Sequence, residues 1–401
     1  MAASTNEHTR ASVLNMKWFM FFIFGTVSVL MTFFPIYLQH LSFQKSAIGM
    51  MMAAGPLVSI VANPFWAYWS DRTQDIRRIL LIMLSGNFLI ILAVFQLEQY
   101  AWVYGGMLAF FLFQTPIFSQ SSSLILVAIE GTKHKFGSYR IWGSLGWAIM
   151  AIAAAPVIAL VTIDRLWIVY CGLMLISLLL CYRLPRASTE SLVRSSTGFK
   201  QLLRNGTFMI FLLISILIST PHGLNGMFVS IYIKELGGAT WLIGLSAFLM
   251  AIFEVPVFLL LDRYMKKSLQ TMLTILTIVS GIYALRWLLM SMVTEPWQII
   301  ALQATHGITF GIYFYIGTNL TSFFVPPSLR ATGQSAYTIA WNGIAGVIAG
   351  FLGSQFLQAF GYQTTYLGGM LLSLVGMVCF IWMRFRIKIK KEGVNEVDLH
   401  S

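Results

Sequence analysis

Twelve long apolar runs follow one another along the chain, at about 17–39, 46–69, 79–97, 102–128, 139–161, 165–182, 207–233, 239–261, 268–291, 297–321, 332–357 and 363–385. A bilayer crossing takes ~20 apolar residues. Such a run surrounded by lipid has to satisfy its backbone hydrogen bonds internally, so each is expected to be a helix. Only 10% of the residues are charged, against roughly a quarter in soluble domains. Little chain remains for a soluble domain, which excludes a cytosolic enzyme. The first run is too long for a signal segment and is followed by no small-residue cleavage site, so it is expected to stay as a helix. Cys171, Cys181 and Cys379 lie inside apolar runs, where they read as small core residues and neither as a disulfide framework nor as a metal cluster.

The formal net charge is +12, and its placement decides what it means. With the N-terminus cytoplasmic and loops alternating, only Lys45, Arg165 and Lys234 of the 26 Lys and Arg fall outside, Arg286 lies within a run, and the other twenty-two lie inside. That asymmetry orients a multi-pass protein of the cell membrane with both termini cytoplasmic. The basic surplus faces anionic lipid headgroups, so nucleic acid is not required as a partner.

The polar stretch 183–205 divides the chain into six runs and six. The expected domains are residues 1–183, a cytoplasmic linker at 184–205, residues 206–386, and a basic tail at 387–401. An internal echo supports the division. Asn63-Pro64 precedes Asp71-Arg72 and Arg77-Arg78, while Glu254-Val255-Pro256 precedes Asp262-Arg263 and Lys266-Lys267. A second echo relates Gly143-x-x-Gly146 to Gly343-x-x-Gly346 and Gly350-x-x-Gly353; small residues at this spacing let helices approach closely. Repeats of this kind mark secondary transporters with a site at the repeat interface. No phosphate-binding Gly-x-x-x-x-Gly-Lys-Ser/Thr loop occurs, which argues against ATP-driven pumping.

Two sets of residues carry candidate chemistry. At the cytoplasmic face, the loop from Asp71 to Arg78 joins runs two and three. Topology alone explains its bases but not its acids or the second copy at Asp262 and Arg263. Asp71, Arg72, Arg77, Arg78, Asp262 and Arg263 are therefore expected to form a gate. Inside the runs, the ionisable groups are His222, Glu254, Arg286 and His306, and an ionisable group in hydrocarbon costs ~3 kcal/mol or more unless paired or wet. At 1.5 Å per residue, Arg286 lies ~12 Å and His306 ~15 Å from the turn between runs nine and ten, so the two can meet across the hairpin.

Bland readings stand beside these. His222 either answers backbone groups freed by Pro221 or meets substrate; His306 either bonds Gln303, one turn away, or titrates; Glu254 and Arg286 either form a fixed ion pair or a working one. A carboxylate, an arginine and a histidine at one depth give a group that takes up a proton and partners that sense it. Glu254, Arg286 and His306 are the expected coupling residues, needing a proton gradient and no cofactor. The first half supplies neutral polar groups: Asn63 in run two, and Gln114 with Ser119, Gln120, Ser121, Ser122 and Ser123 in run four. Serines in membrane helices often bond only their own backbone. Asn63, Gln114, His222 and Gln303 are candidate substrate contacts.

Asp71-Arg72 with Arg77-Arg78 and their half-repeat resemble the inner-loop signature of the major facilitator superfamily. Arg140-x-x-Gly143-x-x-Gly146-Trp147 resembles the fifth helix of lactose permease. Arg286-Trp287, Gln303, His306 and Phe310, preceded by Glu254-Val255-Pro256, resemble the branch that holds the phenylpropionic acid transporter and related proton symporters. The resemblance implies an all-helical membrane protein with twelve spans in two pseudo-symmetric six-helix bundles, working by alternating access as a monomer. By it, Arg140 would hydrogen-bond substrate, Trp147 would stack on it, and Arg286 with His306 would belong to the coupling network. The chain departs from lactose permease at Thr309, where that protein has Glu, which leaves Glu254 as the candidate proton carrier.

The expected function is proton-coupled uptake of a small organic solute such as a sugar, a nucleoside or an aromatic acid. A proton-linked efflux antiporter is the alternative within transport, although run five lacks the Gly-Pro-rich pattern of such exporters. A membrane-embedded enzyme acting on lipid is the alternative from another class; no nucleophile–base set or metal cluster supports it, so the chain is expected not to be an enzyme.

Overall fold

The computed structural model describes residues 2–130, 132, 135–186, 202, 204–265, 268–326 and 329–397. Most of the expected linker, the Lys266-Lys267 pair and the end of the tail lie outside the described residues. Among those described, every regular element is a helix, and eleven helical stretches are long and apolar enough to cross a membrane. Ten are single crossings: spans one (Val13–His40), two (Lys45–Thr73), three (Ile76–Val94), four (Tyr100–Ile129), five (Phe136–Val161), six (Ile163–Tyr182), seven (Gly206–Glu235), eight (Thr240–Tyr264), nine (Leu269–Ser291) and ten (Pro296–Phe324). The last stretch, Thr332–Ile387, has 56 residues, or ~84 Å of helix at 1.5 Å per residue. It breaks at Gly361, whose φ of 75° and ψ of 178° suit a residue without a Cβ. Spans eleven and twelve lie on either side, giving twelve crossings.

Among the spans that are not the continuous helices their apolar runs predict, two break beside a proline. Span four divides into Tyr100–Gln114 and Ile117–Ile129, and span eight into Thr240–Ile252 and Glu254–Tyr264. The cause is proline, which lacks the N–H that would bond the carbonyl four residues back. Pro116 frees the carbonyl of Leu112, and the indole Nε1 of Trp66 in span two donates to that oxygen at 2.8 Å. Pro256 lies just beyond the break at Phe253. Helix breaks in membranes persist where neighbours satisfy the released groups in this way.

The inner-loop motif is also more helical than its sequence suggests. Asp71 and Arg72 belong to the last turns of span two, and Arg77 and Arg78 to the first turn of span three. The connection is Gln74, in the left-handed region at φ 49°, and Asp75, whose carboxylate accepts from the backbone N–H of Arg78 at 3.0 Å and caps the helix.

The chain folds into two compact units: Met1–Arg194 with Met227–Ile252 and Glu295–Ile300, and Ser195–Gly226 with Phe253–Thr294 and Ala301–Ser401. In the first unit, spans one and five pack so closely that a Cβ on Gly146 would run into the backbone carbonyl of Phe21. This is the close approach expected of the Gly143-x-x-Gly146 motif. Behind it, Asn87 of span three, Gln114 at the break of span four and Tyr170 of span six form a buried chain. The Asn87 amide donates to Gln114 Oε1 at 2.9 Å, and the Tyr170 hydroxyl donates to Asn87 Oδ1 at 2.5 Å.

The first unit also holds a charged cluster where spans one, two and seven end. Glu235 accepts from Lys45 at 2.9 Å and from Gln39 at 3.1 Å, and His40 lies 2.7 Å from Asp164. A cavity of about 460 Å³ opens there, lined by Gln39, His40, Thr162, Lys234, Glu235 and Thr240 among others. The first half of span eight lies against span five, where a Cβ on Gly244 would come within 2.6 Å of the carbonyl of Ala151.

Candidate functional site

The second unit gathers the intramembrane ionisable groups of the second half, His222, Glu254, Arg286 and His306. Spans seven, eight, nine and ten each supply one, and the local geometry of span ten explains how two of them meet. After Gln303 the helix loosens into a π-helical turn at Gly307–Gly311, a distortion frequent at functional sites. A Cβ on Gly307 would collide with the carbonyl of Phe253 at the break in span eight, whereas one on Gly311 would meet Val257 at an ordinary 3.4 Å. Glycine at 307 lets span ten lie directly on the broken helix of span eight. The contact sets His306 beside Glu254, with His306 Nε2 3.2 Å from Glu254 Oε1.

Arg286 of span nine turns elsewhere. Its guanidinium donates to Thr309 Oγ1 at 3.0 Å and to Gln303 Oε1 at 2.5 Å, and lies 5.1 Å from the ring of Trp287. The Thr309 hydroxyl in turn lies within bonding distance of the carbonyls of Thr305 and His306. Arg286 is 2% exposed, while the Glu254 side chain keeps 25% of its surface open. Two expected pairings are thereby corrected. Glu254 pairs with His306 and not with Arg286, because the close seating of Gly307 brings the imidazole to the carboxylate. Gln303 bonds Arg286 and not His306, because the arginine enters between spans nine and ten at the level of Gln303 and Thr309.

His222 completes the group. Its ring lies parallel to Phe310, with centroids 5.1 Å apart and 5° between planes, and 5.1 Å from His306. Tyr283 and Trp341 close the sides at 6.2 and 5.9 Å. The ring is thus part of an aromatic box, and its Nδ1 finds no hydrogen-bond partner among the described residues. Nδ1 therefore does not answer the backbone freed by Pro221 among the described residues.

The other candidates stand in different places. In the first unit, Arg140 lies over the ring of Phe24 at 4.5 Å and donates to Ser144 at 3.3 Å. Trp147, half-buried, accepts from the Ser28 hydroxyl through its carbonyl. Asn63 donates to the carbonyl of Ser59 at 2.9 Å, a bond within its own helix, and Gln114 is held in the Asn87 chain. Ser119, Ser121 and Ser122 all donate to carbonyls three or four residues back, as serines in membrane helices do. Among the inner-loop residues, Arg77 donates to the carbonyls of Tyr182 and Leu184, tying span three to the end of span six. Arg72 donates to Tyr68 at 3.1 Å. In the second unit, Asp262 accepts from the hydroxyl of Tyr315, and Arg263 lies over the ring of Tyr264. Sequence reasoning missed Asn87, Tyr170 and the pair of glycines at 307 and 311. The glycines had a signal, four-residue spacing beside an intramembrane histidine; the others had none.

The model of the MFS_1 like family matches residues 13–368 of the chain. The chain belongs to that family. It is a multi-pass membrane transporter of the major facilitator superfamily and not an enzyme. The transporter is 26% identical over 400 residues to the uncharacterized transporter YwbF of Bacillus subtilis, covering 99% of this chain and 98% of that one. It is 24% identical over 374 residues to the maltose permease of Geobacillus stearothermophilus, covering 92% and 93%. Among solved structures, a mutant of the nucleoside transporter NupG superposes with a TM-score of 0.82 at 17% identity, covering 92% of this chain and 99% of that one. That likeness establishes the same fold.

Proposed function

We propose that this transporter is a proton-coupled symporter that takes up a small organic solute by alternating access, working as a monomer in the cell membrane with both termini cytoplasmic. The His306–Glu254 pair carries the reading. A carboxylate 3.2 Å from an imidazole can bind a proton and share it with its neighbour, and the Glu254 side chain keeps a quarter of its surface open for that exchange. Arg286, permanently charged, sits on a different span from both partners and senses the change through Thr309 and Gln303. The aromatic box of His222, Phe310 and Trp341 offers stacking faces to a ring or a sugar. The relative named as a maltose permease supports a small organic solute as cargo. Asp71, Arg72, Arg77 and Arg78 with Asp262 and Arg263 form the cytoplasmic gate in this reading, and no cofactor takes part. Arg140 and Trp147 are its first-half substrate contacts.

The test is uptake into proteoliposomes across a panel of sugars, nucleosides and organic acids, with and without an imposed inward proton gradient. Accumulation only with the gradient supports symport. Equal uptake in both conditions refutes coupling, and solute efflux driven by the same gradient would establish the antiport alternative.

A further inference from the structure

Arg286 poses a charge problem that the fold leaves open. It is 2% exposed, yet its hydrogen-bond partners, Gln303 and Thr309, are both neutral. Its Nε–H, buried, has no acceptor among the described residues. Neutral oxygens answer individual N–H groups, but they do not cancel a net charge, and a buried ion that is not paired costs several kcal/mol. Intramembrane arginines ordinarily pair with an acid or face water. The nearby intramembrane acid, Glu254, is seated on His306 instead. Immediately beside Arg286, the indole Nε1 of Trp287 is a second buried donor with no acceptor among the described residues, and the guanidinium lies 5.1 Å from that ring.

We infer that Arg286 is the anchor for an anionic solute, a carboxylate, which supplies the missing negative charge on binding. This deepens the reading of the protein as a solute transporter and rests on it. A carboxylate matches the need on three counts. It carries one full negative charge, it accepts two hydrogen bonds in the plane of a guanidinium, and it consists only of acceptors, which suits a site whose unanswered groups include two N–H donors. A sugar or other neutral solute would answer the N–H groups and leave the charge uncancelled. The aromatic faces of His222, Phe310 and Trp341 in the same unit would meet the organic part of the acid. Thr309 is the position that keeps the site selective: a hydroxyl there bonds the guanidinium without neutralising it.

Thermal unfolding of the purified protein in detergent tests this without any reference to protons. The probes are matched pairs: benzoate with benzamide, phenylacetate with phenylacetamide, and gluconate with glucose. At least one acid is expected to raise the midpoint by about 2–4 °C, the shift that about 2–3 kcal/mol of ligand stabilisation gives in a chain of this length, while its neutral twin does not. Thr309→Glu places a carboxylate where it can pair with Arg286, and should raise the midpoint without ligand while abolishing the response to the acid. Arg286→Gln should abolish the same response by removing the charge. The inference is overturned if no acid stabilises the protein, if the neutral twins stabilise it as well as the acids, or if either variant responds to the acid as wild type does. Failure of proton coupling would show in proteoliposome uptake and leave this binding result untouched.

Discussion

His306 and Glu254, on spans ten and eight, face each other across 3.2 Å because Gly307 leaves no side chain between their helices. The pair is therefore a product of backbone contact, and each member can be changed without altering how the other is delivered.

Replacing Glu254 with Gln fixes the carboxyl in a neutral form while keeping its shape. Proton-driven accumulation should be lost, whereas counterflow of solute at zero gradient should persist within a few fold of wild type. Full accumulation by the variant would move the proton to His306 or His222.

Gly307 and Gly311 separate packing from composition. Gly307→Leu must push span ten off the Phe253 carbonyl, and overpacking of this kind costs about 1–3 kcal/mol. Gly311→Ala meets only Val257 at 3.4 Å and should be nearly neutral. Unfolding midpoints of the two purified variants check the contrast, and equal midpoints would show that span ten does not lie as closely on span eight as described.

Tyr170→Phe removes the donor that Asn87 Oδ1 accepts from, leaving a buried acceptor unanswered. The expected loss is about 1–3 kcal/mol. Ser121→Ala deletes only a bond to its own helix, leaves no side-chain donor unanswered, and should cost about 0.5 kcal/mol, the low end for one hydrogen bond. Both are read from thermal unfolding.

The Lys45–Glu235 pair is partly exposed, and such pairs contribute about 0–1 kcal/mol. Glu235→Gln should therefore leave overall stability nearly unchanged. Because the pair and Gln39 join the ends of spans one and two to the end of span seven, the substitution should loosen that face. A cysteine at Thr240, in the cavity wall, should react faster with a bulky thiol reagent in the Glu235→Gln background. An unchanged rate would make the pair a bystander.

The crossings were legible because apolar run length is read directly from the chain, and the glycine spacing in span five correctly marked a close helix contact. The breaks were not, although Pro116 and Pro256 were in plain view. Whether a proline bends or breaks a helix depends on who accepts the freed carbonyl, and for Leu112 that partner, Trp66, lies 46 positions away. The site was legible as a set of residues and not as a set of pairs. Depth along a helix places Arg286, His306 and Glu254 in one band, but which of them touch depends on helix rotation and on the π-helical turn, neither of which leaves a periodic signature. The same holds for Gln114, whose side-chain carbonyl accepts from Asn87.

The indole of Trp66 does more than fill a gap at the bend of span four. A hinge normally owns its angle: its loose carbonyl swings free and the two arms pivot at will. Here that carbonyl is tethered to a rigid ring on span two, so span four cannot flex without either pulling span two along or surrendering the bond. The two helices share a single degree of freedom, and any motion that passes through this bend arrives as the movement of a pair.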